Sequence, residues 1–168
     1  MKIDFVVLGL PRSGTTWLAN WLTTDRTLCL HDPFSDGLPE TWAGDERTFG
    51  ISCTGAYMFP RWLGSLSCPV AVIERPVRDC DASAASIGFP SVESISGALA
   101  SIDAPRWKFE ELWAEDRARA LWDHLLPQIR FDSLRYRLLR RMQVQPYMPA
   151  WSYVPGVFEE MMRREAGG

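Results

Sequence analysis

The sequence predicts a single α/β domain in which a parallel β-sheet is flanked by helices on both faces, giving three layers. Two strong strands support this prediction, the apolar and β-branched runs 3–8 and 69–75, and a helical pattern follows each of them. Weaker strands are predicted at 27–31, 48–52 and 128–131, with helical patterns between them. Strands that alternate with helices give a parallel, doubly wound sheet.

Length and composition suit one domain, residues 1–168, around a single core. The net charge of −3 argues against nucleic-acid binding. No run approaches the ~20 apolar residues of a membrane span, and no signal-peptide pattern precedes the first strand. The four cysteines lack metal-site spacing and are expected to be free thiols. We therefore expect a cytoplasmic protein that binds neither nucleic acid nor membranes.

The helices are predicted from apolar residues at helical spacing. In chain order they are a helix after residue 17, then 59–66, 76–88, 91–101 and 109–126, a helix capped by Asp132 or Ser133, and 157–164. Two segments are predicted as irregular, 32–47 and 146–156, and the second carries the aromatic residues Tyr147, Trp151 and Tyr153. This aromatic tail is a candidate homodimer interface or lid.

The loop 9–17 joins the first strand to the first helix and is the strongest functional motif. Gly9 and Gly14 have the spacing of a Walker A loop, so a P-loop-NTPase-like topology is expected. Backbone N–H groups and the start of the helix favour an anion at this point. The lysine expected after the second glycine is replaced by Thr15, and the cation lies earlier, at Arg12. The loop is therefore expected to bind phosphate but to suit ATP poorly.

The string 11–17, Pro-Arg-Ser-Gly-Thr-Thr-Trp, resembles the 5′-phosphosulfate loop of sulfotransferases that use 3′-phosphoadenosine 5′-phosphosulfate (PAPS). The resemblance implies a P-loop-like fold, PAPS as donor, its desulfated form PAP as product, and no metal. It also implies that the cofactor is held by Arg12, Ser13, Gly14, Thr15, Thr16 and Trp17. Arg12 is in addition a candidate catalytic residue, since it would meet charge on the leaving phosphate. Trp17 would stack on the adenine; the alternative is that it packs against the sheet beside Trp21.

A second string, 74–83, has an Arg at the end of the second strong strand, then Pro-x-x-Asp, and a Ser eight residues after the Arg. Sulfotransferases resemble this pattern, and in the family the two residues that match Arg75 and Ser83 hold the 3′-phosphate. The chemistry suits an Arg fork and a hydroxyl gripping one phosphate. The alternative is that Arg75 only forms a salt bridge with Glu74 or Asp79.

A third string, 129–134, resembles the Val-Arg-Tyr-Glu-Asp-Leu that follows the last parallel strand in many members. The resemblance covers residues 3–88 well and 128–142 loosely. The chain is shorter than most members, which indicates a short bacterial or phage-type form. The Arg-Lys-Gly loop of cytosolic eukaryotic members has no counterpart, although the arginine pairs 140–141 and 163–164 are candidate replacements.

A general base is needed to accept the proton of the acceptor. His31 is the first candidate because it ends the second strand and its unperturbed pKa is ~6.5; in the family a His or Glu after the first helix has this role. Asp32 is the alternative and Glu40 a remoter one. Because Pro33 favours an extended conformation at Asp32, His31 and Asp32 are predicted to point to opposite sides, with His31 facing the site.

The leading hypothesis is a PAPS-dependent sulfotransferase that moves a sulfuryl group to a hydroxyl or amine of a small-molecule or glycan acceptor. Two alternatives stay open. One is a P-loop kinase, which the absence of the lysine disfavours. The other is a non-catalytic module that binds PAPS or PAP.

Overall fold

The computed structural model describes residues 3–33 and 46–141. It contains five parallel strands in the sheet order β2-β3-β1-β4-β5. The strands are β1 Phe5–Gly9, β2 Thr27–His31, β3 Thr48–Cys53, β4 Val70–Glu74 and β5 Arg106–Lys108. The helices are α1 Thr15–Leu22, α2 Pro60–Ser65, α3 Val77–Ala85, α4 Glu93–Ala100, α5 Glu115–Leu125 and α6 Ser133–Arg141, with short 3₁₀ helices at Ala56–Met58 and Phe109–Trp113.

The two faces of the sheet are each covered by helices, which confirms the predicted α/β class with helices on both sides. Alternation along β1 sends Val6 and Leu8 to one face and Phe5 and Val7 to the other. The first face packs against α2, α3 and α4, and the second against α1, α5 and α6. Because β1 lies in the middle of the sheet, its five residues are all buried, as the apolar run predicts.

Aromatic side chains fill the second face. Trp21, Trp122 and Tyr136 are fully buried there, and the ring of Trp21 contacts those of Trp122 and Tyr136 with centroids 5.5 and 6.0 Å apart. The Tyr136 hydroxyl donates to the carbonyl of Leu112, which satisfies its polar atom. Much of the high tryptophan content is therefore core.

The predicted strands at 27–31 and 48–52 are confirmed as β2 and β3, and the helices α2, α3 and α4 lie within the predicted segments. Pro60 occupies the first turn of α2, where its missing N–H costs nothing. The description of the first part of the chain ends at Pro33. Glu40 and the rest of 34–45 therefore lie outside the described residues. The predicted aromatic tail, the predicted helix 157–164 and the arginine pair 163–164 also lie outside them.

The predicted strand at 128–131 is wrong. The last parallel strand is Arg106–Lys108, which pairs with β4 and occupies that edge of the sheet. Ile129 and Phe131 are apolar because they pack in the core on the second face of the sheet, here called the second core. The indole N–H of Trp122 donates to the carbonyl of Ile129 at 2.6 Å. These contacts fix 128–131 as a connection between α5 and α6, outside the sheet.

The predicted single helix 109–126 is also wrong, because it divides at Ala114. That residue has extended backbone angles, and the segment before it is the 3₁₀ helix Phe109–Trp113. Phe109 and Trp113 both pack on Trp17 of α1. Tertiary contacts with α1 therefore override the helical pattern of this segment. The following helix α6 begins as predicted, with Asp132 accepting the N–H of Arg135 at 2.9 Å.

Within the residues that the structure describes, none of the helices combines the length and the apolarity that crossing a membrane requires.

Gly50 provides a test of the sheet packing. It pairs with Phe5, whose ring lies where a β-carbon at position 50 would be. Gly50→Ala should therefore lower the free energy of unfolding by about 1–3 kcal/mol, the usual cost of overpacking a core. Urea unfolding measures the change. The control is Gly97→Ala in α4, where nothing lies within 4 Å and alanine should stabilise the helix by about 0.5–1 kcal/mol. Equal midpoints for wild type and Gly50→Ala would contradict this packing.

Candidate functional site

The strand order creates a crevice at the carboxyl ends of β1 and β4. After β1 the chain goes to β2 and β3 on one side, and then crosses to β4 and β5 on the other. Open α/β sheets bind ligands where the strand order reverses in this way, at the carboxyl ends of the strands. The loop after β1 and the residues after β4, Arg75 and Pro76, meet at this point.

The loop between β1 and α1 has a defined conformation. Gly14 is the residue before α1 and has φ of 94°, a left-handed conformation that suits glycine. A β-carbon on Gly14 would also enter the ring of Phe109. The Ser13 N–H donates to the Leu10 carbonyl at 3.0 Å, which closes a turn. The first N–H groups of α1 have no partner within the helix, so this end of α1 favours an anion.

Three of the predicted site residues meet on the β4 side of the loop. The Nε of Arg12 donates to the Ser83 hydroxyl at 2.9 Å. The Nη1 of Arg75 donates to the carbonyl of Arg12 at 2.7 Å. Arg75 therefore ties the end of β4 to the loop, and Arg12 ties the loop to α3. The structure joins the two sequence strings in one cluster, although 71 positions separate Arg12 from Ser83.

The alternative partners proposed for Arg75 are paired elsewhere. Glu74 forms an ion pair with Arg106 at 3.1 Å, and Asp79 pairs with Arg78 at 3.3 Å. Among the described residues, Arg75 forms an ion pair with Glu110, whose Oε1 lies 3.8 Å from Nε of Arg75. Glu110 is more than half exposed, so this pair is weak and a bound anion can replace it at little cost.

His31 lies on the β3 side of the loop, at the end of β2. Its Nε2 is 3.2 Å from the Thr15 hydroxyl and 3.1 Å from the Thr16 hydroxyl. The side chain is 10% exposed. Burial lowers the pKa of His31 below its ordinary value near 6.5, and the charge of Asp32 partly opposes this shift. At neutral pH the imidazole is therefore neutral, the form that can accept a proton.

The prediction that His31 and Asp32 point to opposite sides is wrong. Asp32 has φ of 42°, which is left-handed and not extended, and its Oδ2 lies 3.4 Å from Nε2 of His31. The cause is Thr54, just after β3. Its N–H donates to Oδ1 of Asp32 at 2.5 Å, and its hydroxyl donates to Oδ2 at 3.1 Å. These bonds hold the carboxylate against the same side of the sheet edge as the imidazole.

Backbone strain is concentrated at this site. Across residues 3–33 and 46–141, two residues other than glycine have positive φ, Arg12 at 70° and Asp32 at 42°. Such conformations cost of order 1–3 kcal/mol and persist where surrounding contacts enforce them, often at functional sites. Here they lie on the two sides of the same loop, and hydrogen bonds from Arg75 and Thr54 hold them in place.

Ser13 is fully buried beneath the loop. Its hydroxyl has no hydrogen-bond partner among the described residues, and it lies over Gly9, where a β-carbon would collide with it. Buried hydroxyls are normally hydrogen-bonded. An unpartnered hydroxyl inside an anion-favouring loop fits a site that takes acceptor oxygens.

Trp17 is 4% exposed and lies in the second core. It stacks on Trp21 with ring centroids 5.2 Å apart and contacts the edges of Phe109 and Trp113. This placement agrees with the alternative that Trp17 packs against the sheet beside Trp21. No open ring face is left for an adenine in this arrangement.

Sequence reasoning missed Phe109 and Glu110. Phe109 covers Gly14, and the guanidinium carbon of Arg75 lies 5.7 Å from the centre of its ring. The clue was present, because residues 109–112 read Phe-Glu-Glu-Leu and directly follow the last parallel strand. Their order of aromatic, acid, acid and leucine is also that of the Val-Arg-Tyr-Glu-Asp-Leu string that 129–134 resembles.

A cavity of about 530 Å³ opens beside Arg75 at the carboxyl ends of β4 and β5. Its walls are mostly apolar, from Leu10, Ile73 and Leu99 among others. Charged side chains of both signs also line it: Arg75, Arg106, Lys108, Glu74 and Glu110. Its volume is in the range of small-molecule sites. His31 does not line it, since it lies on the other side of the loop.

No protein-family model, curated protein or solved structure matches the chain.

The lowered pKa of His31 predicts how stability depends on pH. The unfolded chain takes up a proton at this residue near pH 6.5, but the folded protein does so only at lower pH. The free energy of unfolding should therefore fall as the pH decreases from about 6.5, until the pH lies below the folded-state pKa. His31→Gln removes this proton uptake and should show a shallower decline in urea unfolding measured at closely spaced pH values. Parallel curves for the two proteins would contradict the lowered pKa.

Proposed function

We propose that the protein is a PAPS-dependent sulfotransferase with a P-loop-like topology. The observation that supports this best is the cluster of Arg12, Arg75 and Ser83. The sequence motifs assigned these residues to one nucleotide from two separate strings, and their side chains or backbone atoms contact one another at 2.7–2.9 Å. The loop, the N-terminus of α1 and the buried Ser13 hydroxyl supply the remaining features of an anion site.

Each residue has a role in this proposal. Arg75 and Ser83 hold the 3′-phosphate. The loop N–H groups and the hydroxyls of Thr15 and Thr16 hold the 5′-phosphosulfate. PAPS supplies the activated sulfuryl group when bound.

His31 takes the acceptor's proton on Nε2 as the new bond to sulfur forms. Arg12 and the start of α1 stabilise the charge left on the phosphate oxygen when its bond to sulfur breaks. We propose metal-independent transfer, because these groups neutralise that charge.

The acceptor is proposed to be a hydroxyl or amine of a small molecule or glycan. The free cysteines Cys29, Cys53, Cys68 and Cys80 suit a reducing compartment, so a cytoplasmic location is part of the proposal.

Two other functions make different predictions. A P-loop kinase would bind ATP and turn it over with Mg²⁺, which Thr15 in place of lysine disfavours. A non-catalytic module would bind PAP tightly and transfer nothing. The neutral imidazole beside the loop hydroxyls favours an active enzyme over the module.

PAP and AMP test the 3′-phosphate site. PAP should bind far more tightly than AMP, and Arg75→Ala should remove most of that preference. Loss of a charge-assisted contact is worth about 1.5–3 kcal/mol, roughly tenfold to a hundredfold in affinity. Isothermal titration calorimetry measures both ligands.

The matched control is Arg78→Ala. Arg78 is close in sequence, but its side chain is 87% exposed and pairs with Asp79, so its loss should leave the PAP preference intact. If the wild-type protein binds PAP and AMP equally well, the assignment of Arg75 and Ser83 is wrong.

Arg12 tests the chemical step. Arg12→Ala should lower the turnover number more than the affinity for PAP, because Arg12 is proposed to meet charge that develops during transfer. EDTA should leave activity intact. Single-turnover sulfuryl transfer with radiolabelled PAPS gives the rate. A normal turnover number with only a raised KM would refute this role, and strict metal dependence would favour the kinase.

A further inference from the structure

We propose that Thr54 and Asp32 are positioning residues that hold a carboxylate beside Nε2 of His31 and so set its strength as a base. This inference rests on the proposed function for the identity of the reaction, but not for the coupling between the three residues. The sequence motifs indicate Asp32 only as an alternative general base, and they indicate no role for Thr54.

The contacts form a continuous chain from β3 to the loop. Thr54 binds both carboxylate oxygens of Asp32, at 2.5 and 3.1 Å. Asp32 Oδ2 lies 3.4 Å from Nε2 of His31, and the same nitrogen reaches the hydroxyls of Thr15 and Thr16. The backbone N–H of Asp32 still bonds to the Ser52 carbonyl at 3.1 Å. The register of β2 on β3 pairs His31 with Ser52, so Thr54, just after β3, lies within hydrogen-bond reach of Asp32.

The left-handed backbone of Asp32 is the second observation. An extended Asp32 would direct its carboxylate to the opposite side from His31. The observed φ of 42° is uncommon for aspartate and costs free energy. The two bonds from Thr54 compensate for that cost, and the result is a carboxylate that faces the imidazole.

The electrostatic surroundings make Asp32 the controlling charge. Among the described residues, the carboxylate of Asp32 is the charge that raises the pKa of His31 against the effect of burial. From α1, hydroxyls of Thr15 and Thr16 face the ring, and from β3 the thiol of Cys53 lies next to Asp32. Burial, with the charge of Asp32, raises the pKa of Cys53 to about 12, so this thiol stays neutral.

The pair has a defined part in the reaction. As the acceptor oxygen bonds to sulfur, its proton moves to Nε2, and the electron pair of the broken sulfur–oxygen bond stays on the leaving phosphate. His31 becomes an imidazolium cation beside a carboxylate that cannot turn away from it. Asp32 accepts no proton in this step; its charge stabilises the cation.

The test uses the unligated protein. An NMR titration of the histidine ring protons gives the pKa of His31, and His31→Gln assigns its signal, since the chain has two histidines. Asp32→Asn keeps one oxygen that can accept from Thr54 but removes the charge, so the pKa of His31 should fall. Thr54→Val should lower it by a smaller amount, because the carboxylate is less firmly held, and Thr54→Ser should restore it.

Asp4→Asn is the matched control. Asp4 also accepts a backbone N–H from β3, that of Phe49 at 2.9 Å, but at the opposite end of the strand. Its substitution should leave the titration of His31 unchanged. If Asp32→Asn titrates like the wild type, or Asp4→Asn shifts the pKa as much, the proposal is wrong.

Activity gives the second measurement. In Asp32→Asn the rising limb of the pH–rate profile should move to lower pH, and the maximal turnover should drop by about tenfold, less than the ~10²–10⁴ expected for His31→Ala. The affinity of Asp32→Asn for PAP should stay within a few-fold of that of the wild type.

A wild-type protein that binds no PAP would refute the proposed function alone, because the NMR titration still decides whether Asp32 and His31 are coupled. If Asp32→Asn loses at least a hundredfold and His31→Ala does not, Asp32 is the base and the proposal is overturned.

Discussion

The left-handed conformation of the loop between β1 and α1 is the constraint on which the site depends. Gly14 permits it directly, and Arg12 adopts it at a cost. The turn brings the Arg12 carbonyl to Arg75 and the Arg12 side chain to Ser83. It also leaves room for Phe109 against Gly14. A single backbone geometry therefore organises contacts to β4, α3 and the segment after β5.

The cluster of cations around that loop is poorly compensated within the described residues. The Arg75 guanidinium binds the backbone carbonyl of Arg12, and the Arg12 side chain binds the Ser83 hydroxyl, so both cations are held by neutral groups at the loop. The acid paired with Arg75 among the described residues, Glu110, is 3.8 Å away and more than half exposed, so it offsets little of this positive charge. A phosphate or sulfate bound there would offset this positive charge, and the start of α1 would favour its binding. Physical chemistry alone thus favours an anionic ligand at this place, and the sequence motif narrows the choice among anions.

Features that depend on neighbouring residues in the chain could be predicted from the sequence, and features that depend on contacts distant in sequence could not. β1 and β4 are apolar on both faces, so local sequence was sufficient to predict these two strands. Local sequence also placed Arg75 at the end of β4 and Ser83 on the helix that follows it. The segment 109–113 has a helical pattern, but its side chains pack on Trp17, a contact distant in sequence that no local pattern reveals. The same holds for 128–131, whose apolar residues serve the core and not the sheet. The orientation of Asp32 was predicted from the proline that follows it. Two hydrogen bonds from Thr54, which follows β3 and is distant in sequence, give the carboxylate the opposite orientation.

His31 and the loop hydroxyls are linked in a way that connects anion binding to base strength. When the imidazole is neutral and Nε2 carries no proton, that nitrogen accepts from Thr15 or Thr16, and such a bond favours the neutral form. Under the proposed function the same hydroxyls are needed by the oxygens of the phosphosulfate. A hydroxyl that turns to the anion no longer donates to Nε2, so one interaction that favours the neutral imidazole is lost while the charge of Asp32 at 3.4 Å remains. Under the proposed function, the pKa of His31 would then be highest when the donor is in place, which would tie proton removal to the presence of the group to be transferred.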